Sequence, residues 1–266
     1  MLMLMLMPTP QLSYDTSTRP VIAQGVSYQD DQVSEMLAGP VKHILQDTAG
    51  NEELLGTLPS TEFEQEGLRQ ALTDGTVPDN WRVGEAIAEA FVVHKGNCVF
   101  PWPTGRDLKN PNASPAGCDL TGFQPVEDAE YPYRFAFGEV KTSKENKAPP
   151  SVMTSLGNQL FGLRDNSQVK HALVRYLRHR TVGASWKSMF ESAATRYFRS
   201  KTTDIAIYGV LVRDIAPSAS DIAGRAKALA ANCPEKTDIE IYALYLPLNL
   251  IDTLSTRAQA AMQEAL

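Results

Sequence analysis

The sequence predicts an α/β fold in which a mixed β-sheet is flanked by helices. Two apolar runs towards the C-terminus, "TDIAIYGVLVRD" and "IEIYALYLPL", have the β-branched and aromatic content of buried strands. Two shorter strand-like runs, "GCDLTGFQ" and "YRFAFGEVKTS", lie upstream, and helical patterns separate the strands. The predicted order is helix, three strands, helices, strand, helix, strand and helix, which is typical of an α/β domain with a mixed sheet.

Residues 1–80 are predicted to form an N-terminal accessory or docking region. Residues 1–20 look irregular, and helices are expected at 29–47, interrupted by Gly39-Pro40, and at 60–73. The region carries 12 acidic and three basic residues, so it is either an acidic docking surface or a solvated face.

The opening "MLMLMLM" is far shorter than a membrane span and lacks the basic start and cleavage site of a signal peptide. We expect a disordered start or a small docking strand there, and no membrane association.

Residues 81–266 are predicted to form the main domain. Its first helix is capped by Asp79 or Asn80, buries an apolar stripe and ends at Lys95-Gly96. A short strand, "NCVFPW", and a loop at 103–116 follow it, before the two strands of the middle region.

The second half of the main domain is predicted to be mostly helical between its strands. Helices are expected at about 151–164, 168–181, 185–200, 218–231 and 250–265.

Cysteine content and missing motifs exclude several classes of protein. The three cysteines are an odd number without a CxxC pair, which argues against a disulfide framework and favours a reducing cytoplasm. The chain has no phosphate-binding loop, dinucleotide fingerprint, GxSxG or HExxH motif, so ATP hydrolysis would have to come from another chain. A zinc site formed by His94, Cys98 and Cys118 is conceivable, but ordinary buried residues are the favoured interpretation.

The run "YRFAFGEVKTS" ends an apolar strand with two opposite charges. Alternation places Glu139 and Lys141 on one face, in register with Phe135 and Phe137. Burying such a pair costs free energy unless the charges are used, so the pair indicates chemistry. The alternative is a surface ion pair at a strand end.

Asp119, in "GCDL", lies at the start of the preceding strand. If the two strands are neighbours, Asp119 and Glu139 can bind one hard cation, with the carbonyl of Val140 as a further ligand. Lys141 would then stabilise or help to deprotonate a water aimed at a phosphodiester. The alternative for Asp119 is a turn-capping carboxylate.

Two other acid-x-lysine triplets, at 107–109 and 145–147, lie in polar loops without a rigid element to hold a metal. Strand context therefore distinguishes the Glu139 triplet from chance matches. Replacing Glu145 or Lys147 is expected to leave activity nearly unchanged.

Together, these residues resemble the motif of the PD-(D/E)XK nuclease superfamily, whose restriction-endonuclease-like core runs helix, three-strand meander, helix, strand. The resemblance covers about residues 81–214, with Cys118 in place of the usual proline. It implies a deoxyribonuclease that depends on Mg²⁺ or Mn²⁺, with Asp119, Glu139 and Lys141 as catalytic residues.

The superfamily resemblance implies two further site residues on flanking helices. Members often carry a metal-facing glutamate on the helix before the meander; Glu85 and Glu89 are the candidates, and Glu85 is preferred because it follows Gly84 near the helix start. Some members place a glutamine on the next helix, where this chain has Gln159. A solvated glutamate and an ordinary polar helix residue are the alternatives.

Over the whole chain, "WRVGEAIAEAF", the Pro-rich gap, "GCDL", "GEVKTS" and the long basic helical insertion resemble the HamA family, nuclease subunits of Hachiman antiphage defence systems. The resemblance implies a DNA-degrading effector that is held in check by a superfamily 2 helicase partner, HamB. The rival interpretations are a restriction-type endonuclease acting alone and a catalytically inactive DNA-binding or scaffolding subunit.

Residues 168–201 are the predicted DNA-binding segment, because they carry eight bases and one acid in a chain of net charge −6. The predicted phosphate contacts are Lys170, Arg175, Arg178 and Arg180. The alternatives are a solvated helical face and a surface that binds the helicase partner.

Overall fold

The computed structural model describes residues 7–57, 61–72, 76–107 and 117–263. Within these ranges, six strands form one sheet: β1 (Gln11–Asp15), β2 (Ile22–Ser27), β3 (Leu120–Pro125), β4 (Tyr133–Ser143), β5 (Ile205–Arg213) and β6 (Thr237–Tyr245). The same ranges contain ten α-helices: α1 (Asp30–Met36), α2 (Lys42–Leu45), α3 (Thr48–Thr57), α4 (Glu62–Leu72), α5 (Asn80–Gly96), α6 (Val152–Asp165), α7 (Ser167–Arg180), α8 (Lys187–Arg199), α9 (Ala223–Ala230) and α10 (Ile251–Gln263).

The sheet is mixed and has the strand order β1-β2-β6-β5-β4-β3. The outer pairs β1–β2 and β3–β4 are antiparallel, whereas β2–β6, β6–β5 and β5–β4 are parallel. Strand β5 is buried along its whole length, as expected for a central strand covered on both faces. The predicted α/β class with a mixed sheet between helices is therefore confirmed.

Helices cover both faces of the sheet and divide the core into two layers. On one face, α1, α5 and α10 pack on side chains such as Val140 and Val210. On the other, α6, α7, α8 and α9 pack on side chains such as Phe137 and Ile207. Successive residues of β4 thus contribute to opposite layers, as strand alternation requires.

The prediction that "NCVFPW" forms a strand is wrong. Only one bridge forms there, from Val99 to Phe123 on the outer edge of β3. Pro101 and Pro103 lack the N–H groups that would extend the pairing, so the expected three-strand meander is reduced to two strands and a bridge.

The expectation of an irregular start is also wrong, because residues 11–15 form strand β1. This strand is a short, mostly exposed edge strand, and its alternation is limited to Leu12 and Tyr14 within five residues, which is a weak signal beside the Pro-, Ser- and Thr-rich surroundings. Helix α3 was not predicted. The segment expected to be helical from residue 218 begins with a 3₁₀ turn, Ala219–Asp221, before α9.

The first 80 residues contribute β1 and β2 to the common sheet, in which β2 pairs with β6. The proposed division of the chain at residue 80 stays a prediction. Residues 1–6 and 108–116 lie outside the described residues, and with them most of "MLMLMLM" and of the predicted loop. None of the helices in the described ranges is long and apolar enough to cross a bilayer.

Candidate active site

A cavity of about 340 Å³ lies where β4 continues past the start of β3. Leu120, the first residue of β3, pairs with Gly138, so residues 139–143 have β5 on one side and none of the described strands on the other. The cavity is bordered by α5 and α6. All of the predicted catalytic and metal-binding residues line it: Glu85, Asp119, Glu139, Val140, Lys141 and Gln159.

Glu139 and Lys141 form an ion pair at the end of β4, in which Nζ of Lys141 donates to Oε1 of Glu139 over 2.5 Å. The Glu139 side chain is 3% exposed and the Lys141 side chain 24%. The carboxylate therefore lies deep in the site, while the ammonium remains accessible from the cavity.

Asp119 lies one residue before β3, and its Oδ2 accepts a hydrogen bond from the Val140 N–H over 2.7 Å. The N–H and C=O of one residue in a strand point to the same side, so the Val140 carbonyl faces the same open edge. The thiol of Cys118 donates to the carbonyl oxygens of Gly138, at 2.7 Å, and Leu120, at 3.2 Å. Cys118 thereby fastens the start of β3 to β4.

The carboxyl groups at the cavity have raised pKa values. Burial is the main cause: it raises the pKa of Glu85 to about 7 and that of Glu139 to about 7, and the charge of Asp119 adds to both effects. Burial also raises the pKa of Asp119, although the Val140 N–H and the Lys141 ammonium oppose the shift. Arg82 and Lys141 thus only partly compensate the negative charge of the site.

Helix α5 approaches β4 closely at Gly84, where a Cβ atom would collide with the Thr142 hydroxyl. This contact brings Glu85 to the cavity, where its Oε2 accepts a hydrogen bond from Nη1 of Arg82 over 3.1 Å. Glu89, the alternative candidate, lies one turn further along α5 and does not line the cavity.

Gln159 reaches the cavity from α6. Its Oε1 accepts a 3.3 Å hydrogen bond from the Ser155 hydroxyl, one turn earlier on the same helix. Within the described residues its Nε2 donates to no protein group, so both N–H groups are available to a ligand.

The segment between β4 and α6 is held by a buried cation that the sequence did not predict. Arg213, at the end of β5, donates from Nη2 to the carbonyl oxygens of Glu145 and Lys147. The Glu145 carboxylate accepts hydrogen bonds from the Ser151 backbone N–H, at 2.7 Å, and from its hydroxyl, at the start of α6. Glu145 therefore orients α6, a contact that the sequence did not predict, whereas the expectation that replacing Glu145 leaves DNA degradation nearly unchanged stays a prediction.

The metal-binding capacity of the site rests on oxygen donors. Within the described residues, no group of three or more His, Cys, Asp or Glu side chains is arranged to hold a metal ion. Asp119 and Glu139 lie close enough for each to shift the pKa of the other, whereas Glu85 is turned to Arg82. Two carboxylates and the Val140 carbonyl fit a hard cation such as Mg²⁺ or Mn²⁺, and Glu85 would join them by leaving Arg82.

The predicted phosphate contacts differ in exposure. Lys170 is only 3% exposed, and its ammonium donates to the carbonyl oxygens of Arg164, at 3.1 Å, and Thr202, at 3.0 Å. This overturns its predicted role as a surface contact, because it joins the end of α6 to the turn after α8. Its spacing from the buried Val174 and Leu177 places it on the core-facing side of α7.

The three arginines of the predicted surface also differ. Arg180 pairs with Asp107 over 2.6 Å and lies over the Tyr176 ring at 3.6 Å. Arg175 and Arg178 are exposed, and neither forms an ion pair with another described residue. The accessible basic surface of α7 is therefore smaller than the charge count indicated.

Comparison with known proteins does not assign the chain to a family: no family model matches it, and no curated protein matches it.

Proposed function

We propose that this chain is a metal-dependent deoxyribonuclease with a PD-(D/E)XK core, and that it acts as the effector of an antiphage complex of the HamA type. The observation that carries the proposal is the meeting of Asp119, Glu139 and Lys141 at the open edge of β4, in one cavity with Glu85 and Gln159. Chance acid-x-lysine triplets have no reason to gather such partners from three other parts of the fold.

The order of elements supports the same proposal. Helix α5 is followed by the antiparallel pair β3–β4, then by helices and by β5, which runs parallel to β4. This agrees with the nuclease core in the helix, the strand hairpin, the next helix and the last strand. It departs from that core in the first strand of the meander, which is only the Val99–Phe123 bridge.

The residues of the cavity suit phosphodiester hydrolysis. A divalent cation, when bound, would supply positive charge against the oxyanion that develops on the phosphate. Lys141 holds the attacking water, and the neighbouring carboxylates accept its proton as the oxygen–phosphorus bond forms. The bond from phosphorus to the leaving oxygen breaks, and that oxygen takes up a proton from solvent. Gln159 can donate an N–H to a phosphate oxygen or to the water.

Exposed arginines of α7 would hold the DNA backbone. Arg175 and Arg178 are free to bind phosphates, which gives affinity without sequence preference and with a steep dependence on salt. Changing both to Glu should weaken DNA binding. It should also flatten the slope of log K against log salt concentration by roughly two units, because each lost phosphate contact removes about 0.9. Fluorescence anisotropy across a salt series measures both quantities, and a variant that keeps DNA affinity but loses the partner would assign this surface to the helicase.

A helicase partner of the HamB type completes the proposal, because the chain itself lacks an ATP-binding motif. Co-purification of the native complex is the direct test of this part. A protein that cuts plasmid DNA into discrete fragments without a partner would instead be a stand-alone restriction-type endonuclease.

The test of the nuclease proposal is cleavage with Mg²⁺ or Mn²⁺, with the partner and ATP present and absent. Glu139→Ala, Lys141→Ala and Asp119→Asn should each lower the cleavage rate by at least about 100-fold, since each removes transition-state stabilisation. Lys147→Ala is the control, because its exposed side chain lies in the loop after the strand. Near wild-type cleavage by any of the three variants would refute the site assignment, and no cleavage by the wild type would leave an inactive DNA-binding subunit.

A further inference from the structure

Trp81 lies at the cavity one helical turn before Glu85. Residues four apart on a helix share a face, and both side chains line the cavity with Asp119 and Lys141. Among the described residues, no aromatic ring and no cation packs on the Trp81 indole. By contrast, Trp102 lies against two guanidinium groups, so its ring is already in use.

The orientation of the indole is fixed by Asp79, whose Oδ2 accepts a hydrogen bond from Nε1 of Trp81 over 3.1 Å. Asp79 is the residue before α5, where a carboxylate ordinarily accepts a hydrogen bond from a backbone N–H of the first turn. The Asp79 side chain makes no such bond to the helix. The carboxylate thus holds a ring that has no aromatic partner, at the mouth of a charged cavity.

The cavity has the size and composition of a site for one nucleotide. Its volume of about 340 Å³ is at the lower end of the range for small-ligand sites. Trp81 lines the cavity from the α5 side with an apolar, aromatic side chain, and Lys141 and Gln159 line it with groups that can bind phosphate. A base in a duplex is already stacked on its neighbours, so it reaches an indole only after leaving the helical stack.

We propose that Trp81 is a nucleobase-stacking subsite, and that the site therefore takes an unpaired nucleotide from single-stranded or frayed DNA. The subsite rests on the proposed nuclease function, because it assigns the substrate form that this same cavity accepts. Stacking on an aromatic side chain favours an unpaired base of any identity, so the preference is for strand state rather than for sequence.

The test distinguishes the contribution of the bases to DNA affinity from that of the backbone. Affinities are measured by fluorescence anisotropy for a single strand and for a strand of equal length built from a stable abasic analogue, with Ca²⁺ in place of Mg²⁺ to keep the DNA intact. The wild type should bind the normal strand about tenfold more tightly than the abasic strand, as one base–aromatic stack provides. Trp81→Ala should abolish this gap, and Trp81→Phe should keep most of it.

Two controls keep the inference falsifiable. Trp102→Ala is the matched control: it removes an indole that lies outside residues 168–201 and does not line the cavity, and it should keep the wild-type gap. Trp81→Leu keeps apolar bulk without an aromatic face, so it replaces Trp81→Ala if that variant fails to fold. A gap that persists in folded Trp81→Ala or Trp81→Leu refutes the subsite and leaves the nuclease intact. A wild type that neither binds nor cleaves DNA refutes both proposals.

Discussion

Two clusters of buried charge lie at neighbouring strand ends and differ in how fully their charges are compensated. The acidic cluster, Glu85, Asp119 and Glu139, surrounds the cavity and has raised pKa values. The paired cluster comprises Arg213, Asp221 and Tyr245. In it, two wholly buried side chains form a 2.6 Å ion pair, and the Tyr245 hydroxyl donates to Asp221 over 2.7 Å.

The difference distinguishes charge that is compensated within the protein from charge that is not. A buried ion remains compatible with folding when its charge is compensated, as Asp221 compensates Arg213, which also donates to two backbone carbonyl oxygens. The acidic cluster holds more negative charge than Arg82 and Lys141 offset, so it destabilises the fold in the absence of a ligand. Retaining such an arrangement is expected of a site that binds a cation or a substrate.

The largest expected effect comes from breaking the paired cluster. Asp221→Ala leaves the buried Arg213 without its counter-ion and should lower the free energy of unfolding by about 3–5 kcal/mol. Urea denaturation measures the change. The matched control is Asp252→Ala, which removes the exposed ion pair with Lys144 and should cost no more than about 1 kcal/mol. Equal losses in the two variants would contradict the comparison.

A second effect concerns pH and the acidic cluster. Glu85 and Glu139 have pKa values of about 7 in the folded protein, above their usual 4.5. Between those values the folded state binds more protons than the unfolded state, so stability falls as the pH rises through this window. The midpoint of thermal unfolding in EDTA should therefore fall by several degrees from about pH 5 to about pH 8. Glu139→Gln should reduce the fall, and an unchanged slope in this variant would count against the assigned pKa.

A third effect concerns the segment between β4 and α6, which Arg213 of the paired cluster holds. Glu145→Ala removes the hydrogen bonds to Ser151 at the start of α6 and should slightly lower the urea midpoint of unfolding, because the first turn of α6 loses an acceptor. Lys147→Ala, two residues further on, should be neutral. Equal stability of the two variants in urea would show that the hydrogen bonds to Ser151 contribute little to the fold.

The smallest expected effect on stability comes from reducing the negative charge of the acidic cluster. Asp119→Asn lowers the negative charge of the acidic cluster and keeps an oxygen that can accept the Val140 N–H. We expect the metal-free variant to be as stable as the wild type or more stable by up to about 0.5 kcal/mol, while it loses cleavage. Thermal unfolding of the two proteins in EDTA at about pH 8 measures this, and a clear loss of stability would show that the carboxylate is structural.

Much of the fold was predictable because it depends on local patterns. Alternation in the sequence predicted the bounds of β4, and the strand context predicted that Glu139 lies beside Lys141. The meeting of Asp119 with Glu139 followed from pairing two strands that are adjacent in the chain. Lys170 carried a signal that charge counting ignored, since its spacing from Val174 marks the core face of α7.

Other features depend on contacts between distant residues and had no local signature. The Arg213–Asp221 pair joins a strand end to a 3₁₀ turn, and nothing in the sequence distinguishes Arg213 from an exposed arginine. Trp81 did have a signal, because it lies four residues before the preferred Glu85. Strand β1 had only the short alternation of Leu12 and Tyr14, and its pairing with β2 depends on a sheet that is completed elsewhere in the chain.

The pairing of β2 with β6 has a consequence for how the protein is made. Ile22 to Ser27 pair residue for residue with Glu240 to Tyr245, so strands from opposite ends of the described chain lie side by side. During translation, β1 and β2 leave the ribosome long before β6 does, and they cannot join the sheet until synthesis has passed Tyr245. A chain that stalls or is cut before Thr237 exposes unpaired edges on both β2 and β5, which are the features that chaperones and proteases recognise in incomplete proteins.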